Sequence, residues 1–124
     1  MVKFFFLLSR KPGLTEEQFR DYYEKQHAPL AVRLLPFFAD YRRNYLCREE
    51  RPDLVAGSAA DLPFDAITEM SFENEEAYER MISALADPEA AKQIFGDEEK
   101  FIDRSRSRSI RVDEEITPAL RPPE

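Results

Sequence analysis

Residues 4–34 read FFFLLSRKPGLTEEQFRDYYEKQHAPLAVRL, and a strand and a helix meet inside them. Phe4 to Ser9 is a near-continuous apolar run, as expected of a strand covered on both faces. Arg10-Lys11-Pro12-Gly13 breaks it with turn chemistry. Thr15 then caps a helix, with Gln18 three residues on as its capping-box partner, and Leu14 and Phe19 in the staple positions. Glu16 and Glu17 suit the positive end of the helix dipole. Phe19, Tyr23, His27, Leu30 and Leu34 recur at helical spacing as one stripe. Pro29 lacks a donor and disfavours helical geometry at Ala28, which predicts an interruption there.

Downstream, the alternation predicts a strand from about Tyr41 to Arg48, with Tyr41, Arg43, Tyr45 and Cys47 on one face. Glu49 to Leu62 reads as a long polar loop, long enough for a lid or a partner contact. Phe64 to Phe72 alternates: Phe64, Ala66, Thr68, Met70 and Phe72 share one face, and Asp65, Ile67, Glu69 and Ser71 the other. Asn74 caps a second helix whose stripe is Tyr78, Met81, Ile82 and Leu85, ended by Asp87-Pro88. A short helical piece at 89–95 and a last strand at 107–116 follow. The order β-α-β-β-α-β is the ferredoxin-like arrangement of an α+β fold, with both helices on one face of an antiparallel sheet. The other face is left bare, and a second copy is the simplest cover for it. Residues 1–117 form the domain, and 118–124 a Pro-rich tail.

The chain has 124 residues, room for one domain. Its 25 acidic against 18 basic residues give a net charge of −7, which argues against nucleic-acid and anionic membrane surfaces as partners. A basic patch at Arg104, Arg106, Arg108 and Arg111 is the local exception. Cys47 is the only cysteine, so no internal disulfide forms, as suits a reducing cytoplasm. The apolar run at Phe4 to Leu8 is too short to span a membrane. One histidine and one cysteine do not build the usual nitrogen and sulfur metal sites. The three glycines stand too far apart for a phosphate loop, and no cofactor is expected.

Several of these stretches together resemble the EthD domain family. They are Leu7 to Thr15 with Glu17-Gln18-Phe19, the Gln26-His27-Ala28-Pro29-Leu30 segment, Phe64 to Phe72, and Phe101-Ile102-Asp103 with the Arg-Ser run after it. The resemblance covers about residues 3–117 and implies a dimeric α/β barrel with a pocket between helices and sheet in each subunit. The layout is similar to that of the methylmuconolactone methylisomerases, cofactor-independent enzymes acting on a small lactone. In those enzymes a Cys follows the strand glutamate; here Met70 stands there, and His27 is the only histidine.

His27 is the leading catalytic candidate, since a histidine on a pocket-facing stripe gives or takes protons near neutral pH. Spacing alone favours a plainer core or helix-end histidine; the His-Ala-Pro resemblance reverses that. Glu69 is the second catalytic candidate, because a carboxylate on an inward sheet face is costly unless bonded or paired. Arg43 is the partner it would take if it were merely structural. Tyr23, Tyr41, Tyr45, Asp65 and Ile67 are candidate substrate contacts, with tyrosine packing as the ordinary alternative. The expected function is cofactor-independent acid–base catalysis, as an isomerase, lyase or cyclase. The substrate would be a small aromatic, lactone or polyketide-like molecule. The alternatives are an accessory subunit that only holds a small apolar molecule, and a haem-dependent monooxygenase using His27.

Overall fold

The computed structural model describes residues 1–48 and 61–118. Four strands, β1 (Val2–Leu8), β2 (Asp40–Tyr45), β3 (Ala66–Phe72) and β4 (Arg108–Val112), form one sheet in the order β2-β3-β1-β4. Every pairing is antiparallel. The register sets Val2 opposite Phe72, Phe6 opposite Thr68 and Leu8 opposite Ala66, while Arg43 and Tyr45 lie opposite Thr68 and Ala66 from the other side. Because side chains alternate along a strand, these residues share one face, and that face carries the core. The expected β-α-β-β-α-β order therefore stands.

The helical layer differs in detail from the expectation. Thr15 caps α1 (Glu16–Tyr22) with both bonds of the capping box formed. The helix does not break at Pro29. A π-helical stretch at Tyr23–His27 leads into α2 (Ala28–Leu34), with Pro29 in the first turn of α2. The Ala28 N–H bonds to the Tyr23 carbonyl, five residues back. A wider turn of this kind answers a proline, which donates no hydrogen bond and crowds the carbonyl four residues behind it. The second helix, α3 (Glu75–Leu85), is capped by Asn74 as expected. Ile82, expected on its buried stripe, is instead exposed, and Ala77, Tyr78, Met81, Ala84 and Leu85 pack inward. The short piece expected at 89–95 is a full helix, α4 (Pro88–Glu98), started by the Asp87 cap. Strand β2 ends at Tyr45 rather than Arg48, β3 starts at Ala66 rather than Phe64, and β4 is shorter than 107–116. Most of the Glu49–Leu62 loop and of the tail, at 49–60 and 119–124, lies outside the described residues.

Two clusters make the core. Leu35, Phe72, Met81 and Ile94 centre one. Phe19, Tyr23, Ala66 and Phe101 centre the other, beneath α1 and the π stretch. Each buried ring there is worth about 1.5–3 kcal/mol of transfer free energy. Phe101 follows α4, so this second cluster ties the end of α4 to the first helix. That tie positions the site.

Candidate active site

A cavity of about 230 Å³ opens beside the second cluster. Its floor is Phe6, Leu8 and Met70 from the sheet, and its walls include Tyr23, His27, Phe95, Glu98, Ile102 and Arg104. The π stretch ends on His27, so the wider turn sits where the ring meets the cavity. Such turns often occur at functional sites.

His27 is buried, with its ring packed 4.9 Å from that of Phe101. Its Nδ1 lies 2.9 Å from Asp97 Oδ2, and the Tyr22 hydroxyl donates to Asp97 Oδ1 at 2.5 Å. A carboxylate beside Nδ1 holds the proton there and leaves the Nε2 lone pair free. Among the described residues Nε2 has no partner, and no buried side-chain nitrogen or oxygen lacks one. Nε2 is therefore not sealed off, and on a residue that lines the cavity it is the ring nitrogen left for a bound molecule. Burial pushes the ring's pKa below its usual value, and Asp97 offsets part of that. A ring that is neutral near pH 7, held by its far nitrogen, has the form of a general base. Tyr22 is pushed up to about 12, first by burial and then by Asp97. Its hydroxyl therefore keeps its proton and remains a donor to the carboxylate.

Sequence spacing points to Glu69, Tyr41 or Tyr45 as the partner of His27; the structure gives Asp97 instead. Tyr23 lines the cavity, and its hydroxyl pairs with Thr68 Oγ1 at 2.8 Å and accepts from Tyr41 at 3.1 Å. Burial raises the pKa of both tyrosines. Tyr45 donates to Glu24, which Arg43 also grips through two nitrogens at 2.7 and 3.0 Å. Arg43 therefore belongs to Glu24 and not to Glu69. Glu69 and Ile67 lie on the opposite sheet face, where Glu69 is 3.6 Å from Lys3. Asp65, at the mouth of β3, accepts from the Arg10 backbone N–H and from Arg48. So His27 and Tyr23 meet in one cavity, with Tyr41 behind Tyr23. Tyr45, Asp65, Ile67 and Glu69 lie elsewhere.

Glu98, one residue beyond Asp97, also lines the cavity. Its side chain is 22% exposed and 3.5 Å from Arg104. Burial is the first cause of its raised pKa; Arg104 opposes this and Asp97 adds to it. Among the described residues no three of His, Cys, Asp and Glu gather as metal ligands.

The sequence pattern of the EthD domain matches residues 11–105, from the Lys-Pro-Gly turn to the start of the Arg-Ser run. The chain belongs to the EthD domain family. A conidial pigment biosynthesis dehydratase of Metarhizium robertsii is 32% identical over 104 residues, 79% of this chain and 71% of that protein. A decarboxylase of Passalora fulva is 30% identical over 105 residues, 80% of this chain and 66% of that protein. An EthD-family crystal structure from Bacillus halodurans superposes with a TM-score of 0.59 at 21% identity, covering 93% of this chain and all of that one. Within this EthD domain His27, Asp97 and Glu98 all fall inside the matched span. Asp97 and Glu98 do not stand out in the sequence. They stand in the run Asp97-Glu98-Glu99-Lys100, which reads as a solvated helix end. The one available signal is Phe101, an aromatic four residues after Asp97 that turns this end inward.

Proposed function

We propose that this protein is a lyase acting on a small aromatic, lactone or polyketide-like molecule by side-chain acid–base chemistry, with His27 as general base. The observation that carries the reading is the His27–Asp97 pair, which leaves the Nε2 lone pair free on a residue that lines an apolar-floored cavity. Proton abstraction next to a carbonyl starts both the loss of water and many other eliminations, and it needs a positioned base. The relatives named as a dehydratase and a decarboxylase, both lyases by name, support this class over isomerase and cyclase. The cavity is below the ~300–1,000 Å³ usual for drug-sized ligands, which favours a molecule of one or two rings.

The test is deuterium uptake by α-tetralone in heavy water, read by mass spectrometry. The wild type is expected to label the carbon beside the ketone, and His27→Gln to do so about 10²- to 10⁴-fold more slowly with its melting temperature retained. Equal labelling by both proteins overturns the reading.

A homodimer is proposed alongside it. The sheet face away from the helices carries Phe5, Leu7, Ile67 and Ile110, none of which belongs to either core cluster. An apolar face of this extent favours a second copy of the chain as its cover.

A further inference from the structure

Glu98 shares the cavity with His27, yet the base reading leaves it idle. It sits on α4 directly after Asp97, the residue that holds the base. Among the described residues its carboxyl accepts no hydrogen bond, and its one ion-pair contact, Arg104, stands off at 3.5 Å. A carboxylate largely withdrawn from water with no hydrogen-bond donor is poorly stabilised in its charged form. The charged and titratable groups around it are His27 and Tyr23 from the first helix, Asp97 on its own helix, Arg104 from the turn after α4, and Arg108 from β4. Its raised pKa agrees with that setting.

We propose that Glu98 is the second catalytic residue, a proton donor to a leaving oxygen, so that the reaction is loss of water from a β-hydroxy ketone. The inference rests on the reading of His27 as base. His27 Nε2 takes the proton from the carbon between ketone and carbinol. The electrons of that C–H bond become the new C=C bond, and the C–O bond breaks with its pair going to oxygen. Glu98 gives that oxygen its proton, and water leaves. The imidazolium then returns a proton to the Glu98 carboxylate through solvent, and both groups are as they began. Decarboxylation has no leaving oxygen to protonate, so a donor at this position favours dehydration.

The test uses three probes. α-Tetralone reports base action alone, β-hydroxytetralone needs base and acid, and β-acetoxytetralone loses acetate, which leaves without being protonated. Glu98→Gln is expected to slow water loss from the hydroxy compound about 10²-fold or more beyond any slowing of deuterium exchange and acetate loss. Measurable exchange in the variant shows that it is folded and that its base still acts. Equal slowing of all three probes overturns the donor role, as does wild-type water loss in Glu98→Gln. Absence of exchange in the wild type overturns the base reading itself, and the proposal with it.

Discussion

His27 Nδ1 and Asp97 Oδ2 stand 2.9 Å apart across 70 residues of sequence, and this contact decides which ring nitrogen keeps its lone pair. Asp97→Asn keeps the shape but places an amide beside Nδ1. The amide N–H can then donate to Nδ1, which moves the ring proton to Nε2 and removes the lone pair from the cavity. Exchange of α-tetralone is expected to fall about 10²-fold or more, as when a histidine base is held in the wrong tautomer. Nitrogen-15 shifts of the ring report the tautomer directly. An unchanged tautomer with full activity would show that Asp97 has no positioning role.

The buried ring also predicts a pH signature in stability. Burial lowers the His27 pKa in the folded state, so between that value and about 6.5 the unfolded chain binds more protons. Stability from this group is complete above about pH 6.5 and is lost as pH falls toward the folded pKa. Between pH 7.5 and 5.5 the wild type is expected to lose more melting temperature than His27→Gln. Parallel curves for the two proteins would refute it.

Activity against pH carries both groups. The base must be neutral, so the rate rises with pH through its pKa. The donor must be protonated, so the rate falls through its own. Arg104 favours the charged form of Glu98. Arg104→Gln is therefore expected to move the falling limb for β-hydroxytetralone to higher pH. A falling limb that stays in place would separate it from Glu98.

Local chemistry made the frame legible. The capping box, the Lys-Pro-Gly turn with Gly13 at φ 95°, and the alternation of β3 each depend on residues a few positions apart. His27 was legible through its stripe and its resemblance to a family motif. Asp97 was not, because its meaning depends on a contact 70 residues away. The continuity of the helix through Pro29 was hidden for a related reason: the π turn that absorbs the proline is held by the packing of Tyr23 and His27, and no local signal announces it.

Thr15→Ala tests the helix start. The Gln18 N–H bonds to Thr15 Oγ1 at 3.0 Å, and Gln18 Oε1 accepts from the Thr15 N–H at 2.9 Å. Removing the hydroxyl leaves a first-turn donor unmet and is expected to cost about 0.5–2 kcal/mol in denaturant unfolding. The cavity lies well along the helix from this cap, so exchange activity should be retained. No loss of stability would mean that the box contributes nothing.

The open sheet face gives the assembly prediction. Ile110 is 57% exposed on the edge strand β4, opposite Phe5 in the register. Lys3 on the same face is held by Glu69 and Glu114, so the apolar residues there are flanked by paired charges. Such a pattern, apolar at the centre and compensated at the margin, is that of a surface meant to be covered. Light scattering at micromolar concentration is expected to give twice the chain mass of 14.5 kDa. Ile110→Glu places a charge where the lone subunit already exposes the side chain, so the subunit's own fold should tolerate it. Buried between two copies, the same carboxylate would be unpaired and costly. The variant is expected to run at the single-chain mass with its helical signal retained. A monomeric wild type would refute the dimer, and a variant that stays dimeric would place the interface on another surface.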